Sequence, residues 1–283
     1  MNNMIKQAKE VNYKPNLIMV LLIGFTMFIV GSIPVSYISL GLHEDISLPV
    51  NDLMLSFGFV TLICFLYVKL IEKRSIRSLG FQKHNAIKFY LKGLINGIVL
   101  FSVIVIFGVV TGALTFEFTV NTVKWHVFLL LLLGFVIQGA TEEIIFRGWM
   151  LPILSARYNV IVSIAVTSFG FALLHGLNPG ISIMGVVNLL LFGIFSALYT
   201  LKEDSLWGIC GFHSIWNFVQ GSIYGIKVSG MTIPGGSLLT TDPVQTKEFL
   251  SGGAFGLEAS ILTSVVLSIA CIYLIKKMKE KTC

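Results

Sequence analysis

Three short runs in this 283-residue chain carry side chains that could do chemistry. The first is Thr141-Glu142-Glu143-Ile144-Ile145-Phe146-Arg147. On a helix, Glu143 and Arg147 are i, i+4 neighbours in the favourable acid-before-base order, and Glu142 is turned about 100° away. One carboxylate therefore has a local cation and the other has none, which leaves Glu142 available as a general base toward water. The second run is Phe171-Ala172-Leu173-Leu174-His175, whose imidazole would stand near a helix end. The third, His213-Ser214-Ile215-Trp216-Asn217, puts His213 and Asn217 on one helix face. Imidazole and amide N–H groups on one face can donate two hydrogen bonds to a developing oxyanion. The same pair could equally serve as a polar clasp between helices.

The elements that must hold these groups are apolar. The chain is 55% hydrophobic and 12% charged, with a mean hydropathy of +0.87, whereas soluble domains carry roughly 25% charged residues. Windows long enough to cross a hydrocarbon core of about 30 Å run over Leu17–Ser39, Leu53–Leu70, Leu91–Leu114, His126–Ile145, Val160–His175, Ile181–Leu201, Leu206–Tyr224 and Phe255–Ile275. No polar block between them is long enough to fold separately. The expected fold is all-α, a polytopic membrane bundle of about eight transmembrane helices in a single integral membrane domain over residues 1–283. The first window is too long for the apolar stretch of a secretory signal and is expected to stay as an anchor.

The basic residues lie beside helix ends rather than along one face, so the net charge of +6 orients the chain in a bilayer and implies no nucleic-acid partner. On this map 17 Lys and Arg fall on the amino-terminal side, and Lys124, Lys227 and Lys247 on the other. That places both termini in the cytoplasm of a multi-pass cell-membrane protein. The connection from Gly225 to Ala254 is rich in Gly and Pro and reads as a loop or lid. No internal repeat is evident, which weighs against a transporter built from inverted repeats with a proton-relay carboxylate. Cys64, Cys210, Cys271 and Cys283 have no metal-ligand spacing and read as inert packing residues, with Cys283 a site open to palmitoylation beside the basic tail. The map carries one conflict. Straight, fully spanning helices would leave Glu142 roughly 10 Å and His175 roughly 20 to 25 Å from the inner face. Either the fourth helix continues past Arg147 toward Ser155, or the fifth starts outside the core or tilts.

Taken in order, Glu-Glu-x-x-x-Arg (Glu142, Glu143, Arg147), Phe-x-x-x-His (Phe171, His175) and His-x-x-x-Asn (His213, Asn217) resemble the signature of the CAAX protease and bacteriocin-processing family, also called the Abi family. That family includes the type II prenyl endopeptidases. The resemblance covers about residues 128–224, and Gly252-Gly253-Ala254-Phe255-Gly256-Leu257-Glu258 is similar to bacterial members more loosely. It implies an intramembrane endopeptidase that cuts a peptide bond of a membrane-associated protein or peptide, whether prenylated or a peptide precursor. Carried over, Glu142 with His175 activates water, His213 and Asn217 hold the oxyanion, and Glu143 and Arg147 form an orienting ion pair. The alternative within the same family is a non-catalytic bacteriocin immunity or membrane scaffold protein. Many members are called metalloproteases, and Glu142, His175 and His213 could together ligate Zn²⁺ with an open fourth position. The helical zinc spacing His-Glu-x-x-His is absent, and no cofactor is expected.

Cysteine scanning checks the orientation. In a cysteine-free background, a residue placed near Pro243 should react with an impermeant thiol reagent outside intact cells and one near Arg77 should not; the reverse pattern overturns the map.

Overall fold

The computed structural model describes residues 2–39 and 48–280. A short amphipathic helix, α1 (Asn3–Lys9), precedes the apolar windows; it buries Met4, Ile5 and Ala8, and its first amides donate to the Asp204 carboxylate. Then follow α2 (Leu17–Ser39), α3 (Leu48–Leu66), α4 (Ala86–Val110), α5 (Trp125–Glu143), α6 (Leu151–Arg157), α7 (Val160–Leu174), α8 (Ile183–Glu203), α9 (Trp207–Phe218), the single turn α10 (Glu248–Ser251) and α11 (Ile261–Glu280). The protein is an all-α polytopic membrane bundle. Among the described residues five helical runs are long and apolar enough to cross a membrane, and Leu17–Ile33 within α2 and Val160–Leu174 are shorter apolar stretches.

The fourth window does not stop at Ile145. A π-helical stretch, Ile144–Met150, joins α5 to α6 without a break, giving one helical run from Trp125 to Arg157 of 33 residues. At a rise of 1.5 Å per residue that run is about 50 Å long, well beyond the hydrocarbon thickness. The conflict over depth is thus resolved by a continuing helix. Pro152, the second residue of α6, lies inside this run and has no N–H to donate back to the preceding π-helical stretch. α7 begins at Asn159, whose side chain accepts from Val162 N, and runs back along α6.

Two boundaries differ from expectation. The third window was drawn to Leu114, but α4 ends at Val110, and Leu114 opens strand β1 (Leu114–Phe118). A turn through Gly112, at φ +65°, breaks the helix there. β1 pairs antiparallel with β2 (Leu239–Pro243), Leu114 facing Pro243, so the long connection after α9 contains a strand. The last window was drawn from Phe255, but α11 starts at Ile261. Gly252, Gly253 and Gly256 all take positive φ before it, a backbone that an α-helix cannot use. Cys64, Cys210 and Cys271 are buried and unpaired; Cys283 lies outside the described residues.

Helix contacts are close because small residues line them. Gly93 and Gly97, one turn apart on α4, face Gly208 and Phe212 of α9, and a Cβ on Gly93 would stand 1.9 Å from the carbonyl oxygen of Gly208. Gly139 of α5 meets the backbone of Ser214 on α9 in the same way. α9 is thereby held between α4 and α5, with its histidine motif turned inward. Replacing Gly93 by Val should lower the unfolding midpoint in detergent by a cost of about 1 to 3 kcal/mol. Gly58→Ala, which has nothing within 4 Å of the added carbon and lies inside α3, should leave the midpoint no lower than that of the unaltered protein. Equal midpoints for both variants would contradict the α4–α9 packing.

Candidate functional site

The three motifs meet. Glu142, Glu143 and Arg147 come from the end of α5 and the π-helical stretch, His175 caps the end of α7, and His213 and Asn217 lie on α9. All six are buried. A π-helical stretch, Ile144–Met150, runs through the end of the first motif and another, Val219–Ile223, follows the third, a distortion that recurs at functional sites.

Glu143 is the acceptor of the group. Its Oε1 takes Arg147 Nη1 at 3.3 Å and His213 Nδ1 at 2.8 Å. Arg147 also donates from Nη2 to the Gly193 carbonyl of α8, and its guanidinium lies 4.7 Å from the centre of the Phe171 ring on α7. Phe171 is therefore more than a spacer in its motif: its ring carries the cation, and its carbonyl takes Nδ1 of His175 at 2.9 Å.

These bonds set the imidazole tautomers. A carbonyl can only accept, so Nδ1 of His175 carries a proton and its Nε2 presents a lone pair when the ring is neutral. The ion-paired Glu143 likewise requires a proton on Nδ1 of His213. Both Nε2 atoms face Oε2 of Glu142, each at 3.9 Å. That is too long for a direct hydrogen bond and is a gap of the kind a water bridges. Oε2 of Glu142 has no hydrogen-bond partner among the described residues.

The other oxygen of Glu142 is held by a residue that the sequence reading passed over. Gln138 Nε2 donates to Glu142 Oε1 at 2.5 Å, and Asn217 Nδ2 donates to Gln138 Oε1 at 2.8 Å. Glu142 thus lacks a cation but not a local partner. The signal was present, since Gln138 is a polar residue at i−4 from Glu142 inside an apolar window. Asn217 spends one amide hydrogen on Gln138 and keeps a second. Glu258, from the more loosely matching segment, is a half-buried carboxylate nearby. It accepts from the backbone N–H of Ser229 and from Gln220 Nε2, and with His175, His213 and Asn217 it lines a cavity of about 20 Å³, room for about one water.

A larger cleft of about 440 Å³ opens on the Glu142 side. Gln138, Glu142, His175 and Asn217 form one polar wall, Ser32, Asn178, Ser229 and Thr232 add further polar groups, and Phe28, Phe57, Phe135, Met231 and Ile233 supply most of its apolar surface. The donor set that could ligate Zn²⁺ is Glu142, His175 and His213. As placed, no three His, Cys, Asp or Glu side chains among the described residues form a metal-holding group.

Arg147 is wholly buried, and removing one partner of a buried ion pair costs about 3 to 5 kcal/mol. Arg147→Ala should reduce the yield of folded protein and lower its melting temperature in detergent. An unchanged melting temperature would show that the guanidinium is not structural.

Residues 124–219 match a family model described as Type II CAAX prenyl endopeptidase Rce1-like. No curated protein matches the chain. The match contains all three motifs from Glu142 to Asn217 and ends within the π-helical turn that closes α9. The description of that model agrees with the family that the three motifs resemble.

Proposed function

We propose that this protein is an intramembrane endopeptidase that hydrolyses a peptide bond of a membrane-associated peptide or protein with water activated by Glu142. The observation that carries this reading is the unpartnered Oε2 of Glu142, facing two imidazole nitrogens 3.9 Å away at the wall of an apolar cleft. A water placed there donates one hydrogen to Glu142 and the other to Nε2 of His175. As its oxygen attacks the carbonyl carbon, its proton passes to Glu142. His213, carrying a proton on Nε2 as well as on Nδ1, and the second amide hydrogen of Asn217 donate to the oxyanion. Collapse of the tetrahedral intermediate breaks the C–N bond, and Glu142 returns the proton to the departing amine.

Glu143 and Arg147 act at one remove. Glu143 fixes the Nδ1 proton of His213 and so aims Nε2 at the reacting atoms, while Arg147 holds Glu143 in place through their ion pair. The apolar lining of the cleft suits a substrate that arrives from lipid, and the protein resides in the cell membrane with both termini in the cytoplasm. The reaction uses no metal.

Glu142→Gln should abolish cleavage while leaving an assembled bundle, and comparing membrane peptides from cells carrying either form should show the uncut substrate accumulating with the variant. A folded, inserted Glu142→Gln protein that leaves the peptide profile identical to wild type sinks the proposal and favours a non-catalytic scaffold. With that substrate in hand, Asn217→Ala should slow turnover by roughly 10²- to 10³-fold, and chelators should leave the rate unchanged.

A further inference from the structure

A second cavity, of about 470 Å³, shares no residue with the cleft. Its floor is the carboxyl-terminal half of α8, through Phe195 and Tyr199, and its walls are α4 and α11. α4 packs on α9 and α11 packs on α8, which leaves this groove between them. Val99 and Ile269 on the two walls are more than half exposed.

The groove is polar at one end. Lys92 near the start of α4 and Lys202 with Glu203 at the end of α8 gather there. Lys92 Nζ meets Glu203 Oε1 at 2.8 Å, and Lys202 Nζ lies 5.1 Å from the centre of the Tyr273 ring. Lys276 and Lys277 follow in the next turn of α11, Lys277 paired with Glu280 at 2.7 Å, so that four ammonium groups stand against the carboxylates of Glu203 and Glu280 and the formal charge of this end is positive. From Lys92 the lining continues along α4 to Val103, about 16 Å at helical rise and so half of a hydrocarbon core. An apolar furrow one leaflet deep with a cationic mouth has the dimensions and charge of a single lipid standing in the leaflet on the amino-terminal side.

We propose that this groove is a binding site for a glycerophospholipid with an anionic headgroup, one acyl chain lying on Phe195 and Tyr199 between α4 and α11 and the phosphate between Lys92 and Lys202. The site is independent of the peptidase reading. The test is native mass spectrometry of the full chain in detergent, offered equimolar phosphatidylglycerol and phosphatidylcholine with identical chains. Wild type should retain phosphatidylglycerol about tenfold over phosphatidylcholine. Lys92→Ala/Lys202→Ala should bring that ratio near one, and Lys92→Arg/Lys202→Arg should restore it even though the Glu203 pairing is altered. Ala270→Phe, which fills the groove from α11, should lose both lipids with the helical circular dichroism unchanged. Equal retention of the two lipids by wild type, an unchanged ratio in the Ala variant, or a dimer that excludes lipid would each overturn the proposal.

Discussion

A guanidinium buried in an apolar bundle needs counter-charge and acceptors around it, and supplying them to Arg147 draws four helices to one point, although its Nε finds no acceptor among the described residues. Glu143 on its own helical run supplies the counter-charge, α8 a backbone carbonyl and α7 the face of Phe171. Through Glu143 the same cation reaches His213 on α9. The Coulomb attraction is strong because water is excluded, and the desolvation cost is large for the same reason. Such a pair is therefore poor evidence for stability and good evidence for specificity. A bundle held by apolar contacts alone can rotate its helices at little cost, but one in which α7 and α8 each contact a single guanidinium and α9 contacts its counter-charge cannot.

That constraint reaches the chemistry through hydrogens rather than through distance. His213 could present either nitrogen to the cleft; the bond to Glu143 decides which. Phe171 does the same for His175 while also bearing on Arg147, so one residue on α7 couples the ion pair to the second imidazole. The close approach of α5 to α9 at Gly139 and Ser214 brings His213 near enough for the bond. The π-helical stretch after Glu143 adds an expanded turn where the two carboxylates diverge, one toward Arg147 and one toward the cleft.

Much of this was legible in the residues. The eight apolar windows each contain a helix, and the spacing in the three motifs correctly put His213 and Asn217 on one element and Glu143 beside Arg147. What was not legible had physical causes. Hydropathy does not distinguish a helix end from a short strand, so Leu114 was drawn into the third window although it begins β1. Periodicity cannot see backbone angles, so Phe255 was assigned to the last helix despite the positive φ of Gly256 beside it. Gln138 escaped because a lone amide in an apolar window carries no charge to flag it. Glu258 was quoted within a motif, but what it holds, Ser229 and Gln220, comes from another part of the chain. Partners brought together by tertiary structure leave no mark at any fixed spacing.

The remaining question is why the fold tolerates Oε2 of Glu142. A buried carboxylate oxygen without a donor costs the full desolvation of that atom, on the order of 1 to 3 kcal/mol or more for a charged group. Sequence changes that would satisfy it are easy to name, since a lysine or an amide at a neighbouring position would do. The structure instead pins Oε1 with Gln138, pins Gln138 with Asn217, and aims the Nε2 atoms of two imidazoles at Oε2. Each ring has its Nδ1 held, so neither can turn over without breaking a buried bond. Oε2 and the two Nε2 atoms are thus kept facing one another by a shell that cannot relax. In the proposed reaction a water standing between them satisfies Oε2 and Nε2 of His175 together while it is polarised for attack. On that proposal, the cost left in the resting bundle and the capacity to activate water are the same feature, maintained by the contacts of Arg147 and Gln138.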